Sequence, residues 1–225
     1  MVWLEIVIAA LFLTLLIGAI LSRGRSWLDP LFWRGFAISG SVVMLLFLFG
    51  LSWDTLRKTR IGSARVPAAT VINRHIEYRF DPERGRYRPS IGGEELLFGR
   101  SWAPEEAQRL LIKGRLVIQS RNCMECHTLL GNGAYFAPDL TKAWLDPKWE
   151  QIMVPATGSE SKEEAMVKFL RFPDRYATWR RRMPNLNLSE EEARAVVAYL
   201  KWMAAIDTNG FPDHFGRSGL LRRDR

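Results

Sequence analysis

Cys123, Cys126 and His127 lie within the stretch RNCMECHTLLGNGAYFAPDL, residues 121–140, and spell C-x-x-C-H. Two thiols about one helical turn apart can each add to a haem vinyl group, and the adjacent imidazole then reaches the iron from the proximal side. Two other chemistries use similar residues. A redox dithiol needs a thioredoxin-like βαβ setting, and no such pattern surrounds this motif. A structural zinc site wants four ligands, whereas the chain has no further cysteine and only His75 and His214 besides His127. A disulfide between Cys123 and Cys126 would close a very short loop and restrain little of the unfolded chain. The residues therefore point to one covalent haem c, with Cys123 and Cys126 as thioether anchors and His127 as an axial iron ligand.

The second axial ligand must come from elsewhere, and methionine suits an electron carrier because a soft thioether favours ferrous iron. Met1 and Met44 lie in apolar membrane-like segments, Met124 is trapped between the two cysteines, and Met203 falls on an apolar helical stripe where core filling explains it. Met166 is expected on a helix, and Met153, in an expected loop, is the runner-up. Met183 precedes Pro184 in RRRMPNLNLSEEE, where proline stiffens the chain and cannot continue a helix. Met183 is the expected iron ligand. Neither His75 nor His214 has a supporting motif. Arg180, Arg181 and Arg182 suit haem propionates or an acidic partner as well as they suit a solvated charge run.

These residues need elements to position them. From Pro104, the apolar positions Ala107, Leu110, Leu111, Gly114, Val117 and Ile118 recur at helical spacing. Gly114 in that helix costs about 1 kcal/mol against alanine, which predicts a second backbone crossing closely there. Ser189 and Glu192 form a capping box ahead of the stripe Val196, Val197, Leu200 and Met203, predicting a helix to about Ala205. Shorter helices are expected at 141–150 and 161–171. HIEYRF and RYRPSI flank DPERG, the pattern of a strand, turn and strand. The tail RSGLLRRDR is expected to be mobile.

Residues 3–22 and 35–53 are each close to the ~20 apolar residues that cross a bilayer as a helix. A cleaved signal peptide would open on basic residues, but the chain opens MVWLE, with Glu5 near the span end where water reaches it. The connector carries Arg23, Arg25 and Arg34 against Asp29, so the positive-inside rule puts it in the cytoplasm and both chain ends outside. Arg57, Lys58 and Arg60 run against this signal, which a large translocated domain weakens. Trp3, Trp27, Trp33 and Trp53 fall at span ends, as interfacial indoles do. Haem attachment to c-type cytochromes takes place on the outer side of the membrane, which agrees with that orientation. The formal net charge of +8 suits an acidic partner or anionic lipid; the bases are interspersed with acids and no nucleic-acid motif accompanies them, so nucleic acid is not an expected partner. The expected architecture is mainly α. A two-helix membrane anchor occupies 1–55, a polar connecting segment with a small hairpin 56–100, the haem domain 101–210 and a basic tail 211–225.

With those residues in place, the sequence resembles the cytochrome c subunit of bacterial nitric oxide reductase. The resemblance rests on NCMECHTLLGNGAYFAPDL, on FLRFP with RRMPNLNLSEEEARAVVAYLKWM, and on a single span ahead of the haem domain. It covers roughly 35–60 and 100–210. It implies a class I cytochrome c fold, His/Met haem, and a large haem-containing membrane subunit of a denitrifying respiratory chain that reduces two NO to N2O with electrons delivered through this haem. It also implies a soluble electron donor such as a cytochrome c or cupredoxin, and residence in the bacterial inner membrane with the haem domain on the periplasmic side. In that family a calcium ion lies at the subunit interface, with ligands from a loop matched here by the Gly133 carbonyl and Tyr135. A tight turn needing positive φ explains the glycines equally, and packing explains the tyrosine. The segment 3–22 and the insertion 61–100 depart from the family pattern. NO reduction needs a haem and a second metal held by several membrane histidines, and both spans contain none, so catalysis is expected in the large subunit. An anchored cytochrome serving a terminal oxidase, and a haem-based gas sensor or assembly subunit, are the rival readings.

Overall fold

The structure, a computed structural model, describes residues 2–59, 62, 65–177 and 182–212. His214, Arg180, Arg181 and nearly all of the expected basic tail lie outside the described residues. The chain divides into two compact units, Met1–Arg60 and Ile61–Arg225.

The first unit is a helical hairpin of α1 (Val2–Leu21) and α2 (Pro30–Lys58). Asp29 starts α2 by accepting from Leu31 N at 2.9 Å, with Pro30 in the first turn where its missing N–H costs nothing. Small residues form the seam between the helices. A side chain on Gly18 would overlap the Phe36 ring, and one on Gly35 would overlap the Ser22 hydroxyl. Ser39 Oγ donates across the seam to Thr14 O at 3.2 Å, and Ser22 Oγ to Phe32 O at 2.6 Å. Close approach through small residues with polar side chains bonded across is how helices associate where lipid removes the hydrophobic drive. Among the described residues one helix, Pro30–Arg57, is long and apolar enough to cross a membrane, and Glu5–Leu21 is a shorter apolar helix.

The second unit is built on the crossing of α3 (Pro104–Ser120) with α6 (Glu190–Ala204). A Cβ on Gly114 would overlap the Ala195 carbonyl and lie 2.8 Å from Tyr199 Cβ, so the glycine is the point at which the two backbones touch. α6 begins with the expected capping box: Glu192 N donates to Ser189 Oγ at 3.1 Å and Ser189 N to Glu192 Oε2 at 2.8 Å. The helix expected at 141–150 forms differently. The chain makes a 3-10 turn at Ala143–Leu145, then a π-turn at Trp149–Met153 running into α4 (Val154–Thr157). Pro147 interrupts the helical bonding, and the Trp144 side chain is buried, with Lys162 and Lys201 over its ring. α5 (Lys162–Arg171) is capped by Ser161.

The segment before α3 pairs β1 (Arg74–Asp81) with β2 (Arg86–Glu94) in an antiparallel ribbon, with a register shift between Arg74 and Ile76. This segment is packed into the same core as the helices: Val71, Ile72, Ile76 and Leu97 are buried with Ala107, Ile118 and Val197. Polar ties reinforce the packing. Lys201, fully buried on α6, is paired with Glu95 at the end of the ribbon, and Trp202 Nε1 donates to Pro67 O at 3.0 Å. Desolvation works to raise the Glu95 carboxyl, but the hydrogen bonds from Lys201 and His75 outweigh it and hold the group below its usual range. Lys142 is also buried, and its Nζ donates to Ala204 O at 3.0 Å and Ile206 O at 2.7 Å, satisfying carbonyls that the end of α6 leaves unbonded.

Candidate functional site

Arg121 follows the last residue of α3, and its guanidinium bonds Glu192 Oε1 at 2.8 Å, tying the start of the motif to the first turn of α6. Asn122 then takes a left-handed conformation, φ 53°, which breaks the helix direction. A 3-10 turn at Cys123–Glu125 follows, closed by His127 N to Cys123 O at 3.0 Å and Cys126 N to Cys123 O at 3.3 Å. This turn brings Cys123, Cys126 and His127 together. Both cysteines are free and half-buried. Burial pushes the Cys123 thiol up, and the neighbouring Cys126 adds to that.

His127 Nδ1 lies 2.7 Å from the Pro138 carbonyl. A carbonyl only accepts, so Nδ1 carries the proton and the Nε2 lone pair is left for a ligand bond. The loop supplying Pro138 is cross-linked to the motif at several rungs. Ala137 N donates to Cys126 O at 2.8 Å, Leu140 N to Thr128 O at 2.8 Å, and Ala134 N to Met124 O at 3.0 Å. Two free thiols on one turn beside a tautomer-fixed imidazole fit covalent haem. Among the described residues no group of three or more His, Cys, Asp or Glu side chains is placed to hold a metal ion.

Gly133 has φ 114°, and a side chain there would overlap the His127 carbonyl. Gly131, φ 82°, completes the turn between the short strands β3 (Thr128–Leu129) and β4 (Asn132–Gly133). Backbone geometry thus accounts for both glycines. Tyr135 is 81 % exposed, so packing does not account for it. It lines a shallow cleft of about 400 Å³ with Thr128, Ala137, Pro138, Asp139, Phe211 and Pro212.

Met183 lies on a separate segment, half-buried in the irregular stretch between α5 and α6, beside an exposed Arg182. The other methionines of this unit fall elsewhere. Met166 and Met203 are each 1 % exposed, and Met153 is buried within the π-turn rather than in an open loop. His75 stands on β1 with Nδ1 3.1 Å from Glu95 and Nε2 3.4 Å from Glu77. Reading the sequence for chemistry missed Pro138, Asp139 and Thr128. Their signal was an Asx-type turn, since Asp139 accepts from Thr141 N two residues on at 2.7 Å.

The profile of the cytochrome c family matches residues 111–204, which span the motif, Met183 and all of α6, and a cytochrome c domain is one that carries covalent haem c. Among curated proteins, the C subunit of nitric oxide reductase from Stutzerimonas stutzeri is 35 % identical over 107 residues, covering 48 % of this chain and 67 % of that protein. Its namesake from Paracoccus denitrificans is 31 % identical over 118 residues, or 52 % of this chain and 75 % of its own length. That of Halomonas halodenitrificans is 27 % identical over 104 residues, covering 46 % of this chain and 65 % of that protein. Matches of this identity, carried across at least two thirds of the first two relatives and joined to a cytochrome c domain, show that the chain belongs to the family of nitric oxide reductase cytochrome c subunits.

Proposed function

We propose that the chain holds one haem c through thioethers at Cys123 and Cys126, ligated by His127 and Met183, and relays single electrons to the catalytic subunit of a membrane nitric oxide reductase that converts two NO to N2O. The observation that carries the reading is the His127–Pro138 hydrogen bond beside two free thiols on one turn. When bound, the haem supplies a one-electron couple; the chain's own residues set its orientation, its shielding from water and the electron richness of its ligand. The electron arrives from a soluble donor such as a small cytochrome c or a cupredoxin. The rival acceptor, oxygen, is separated by purifying the chain with its native partner subunit and recording NO and O2 consumption under the same donor. NO turnover with a reduced c-type haem spectrum supports the proposal; O2 turnover alone, or a colourless chain, ends it.

Anchoring by two spans is part of the same proposal. The twenty residues of α1 rise 1.5 Å each, about 30 Å, the thickness of a bilayer core, and α2 exceeds it. The arginine-bearing connector would lie in the cytoplasm, and the second unit, Ile61–Arg225, on the periplasmic side of the inner membrane. A periplasm-active reporter fused after residue 212 should be active, and an inactive one would reverse the topology. An interface calcium at Gly133 and Tyr135 is supported by the exposure of Tyr135, but calcium takes 6–8 oxygens. The remaining ligands would have to come from another subunit, so the ion should be lost on separating the subunits.

A further inference from the structure

Thr128 directly follows His127, and Asp139 directly follows Pro138. The side chains of this second pair are themselves bonded, Thr128 Oγ1 to Asp139 Oδ2 at 2.6 Å, one rung beyond the His127–Pro138 bond. The other carboxylate oxygen, Oδ1, accepts from Thr141 N at 2.7 Å, while Thr141 Oγ1 accepts from Leu130 N at 2.8 Å. Thr128 is 2 % exposed and Thr141 fully buried, so both hydroxyls are shielded, while Asp139 between them is half-buried. Asp139 also lies close enough to the buried Lys142 for their charges to interact. Nothing in the haem-attachment chemistry requires these contacts, and the turn already has its backbone rungs.

We propose that Thr128 and Asp139 are positioning residues that clamp the Pro138 carbonyl onto His127 Nδ1 and so set the electron donation of the axial imidazole. The inference rests on His127 being an iron ligand. A hydrogen bond held short at Nδ1 gives the ring partial imidazolate character, which makes it a stronger donor to the oxidised metal. Slackening the clamp lengthens that bond and weakens the donation. The anionic carboxylate one residue from the carbonyl works in the same direction, favouring the more positive oxidation state.

The test uses the haem-loaded full chain in detergent. Thr128→Val keeps the shape and removes the hydroxyl; Asp139→Asn keeps an acceptor oxygen and removes the charge; Thr128→Ser restores the hydroxyl. Two quantities are read: the ferric-to-ferrous ratio at fixed ambient potential, and the rate at which the imidazole N–H of oxidised protein exchanges with deuterated water by NMR. Thr128→Val should lower the ferric-to-ferrous ratio at least threefold, an upward potential shift of roughly 30 mV for a one-electron couple, and speed N–H exchange severalfold. Asp139→Asn should move the potential the same way, and Thr128→Ser should return both readings towards the parent. Variants that melt earlier but keep the parental ratio and exchange rate make the pair a structural contact and overturn the proposal. So does loss of haem from both Thr128→Val and Asp139→Asn. A parent protein lacking a low-spin haem spectrum would instead strike at the ligand assignment, so the two failures are distinguishable.

Discussion

The C-x-x-C-H cluster was legible because covalent chemistry fixes its spacing, and no tertiary contact is needed to recognise Cys123, Cys126 and His127. Met183 was reached by elimination, helped by Pro184, and the burial of Met166 and Met203 in the core fits the reasons for setting those two aside. What the sequence did not disclose is how the imidazole is held, since the Pro138 carbonyl meets His127 only after the turn through Gly131 and Gly133 closes. Replacing Met183 by alanine should leave haem attached, because neither thiol is touched, and, on the proposed ligation, should remove the soft ligand that favours ferrous iron. The reduced protein should then bind carbon monoxide readily, and the potential should fall by the equivalent of at least tenfold in the ferric-to-ferrous ratio, about 59 mV. A CO-inert variant at the parental potential would remove Met183 from the iron.

Among the elements, α3 followed from apolar periodicity and α6 from periodicity and its capping box, which are local signals. Gly114 carried more than local information: a residue that weakens its own helix foretold a close backbone crossing, and Ala195 is found there. The 141–150 region was read as one helix because the pattern does not register how Pro147 and a buried Trp144 divide it into 3-10 and π turns. Gly114→Ala should force α3 and α6 apart, since the new methyl meets backbone rather than a mobile side-chain end. A loss of about 1–3 kcal/mol is expected, read as an earlier thermal transition of the haem domain, with the haem spectrum below that transition unchanged. An unaltered melting curve would show that the crossing tolerates the methyl.

At the level of the whole molecule, composition separated an apolar amino-terminal part from a polar remainder, but it gave no hint that the ribbon segment shares a core with the cytochrome helices. Those ties run through Glu95, Pro67, Ile72 and Leu97, which read as ordinary loop and strand residues until their partners on α3 and α6 are in place. Lys142, buried under the end of α6, gives the second unit a pH dependence. Burial depresses its amine from 10.5 to about 7, with Asp207 and Asp139 opposing the shift. Between those values the unfolded chain binds a proton that the folded chain refuses, so stability rises with pH across that window and the penalty is complete below it. From pH 7 to 9 the parent should gain up to about 2–3 kcal/mol from this group, and Lys142→Met should lack that increment. Parallel melting slopes for the two proteins would refute it.

The seam at Gly114 also orders events in time. Its partner strip on α6 follows the C-x-x-C-H motif in the sequence, so a growing chain that already displays Cys123, Cys126 and His127 has only one side of this crossing. Until Ala195 arrives, the helix that leads into the motif lacks the backbone it touches at Gly114, and the close packing of this domain can form only after the motif is made.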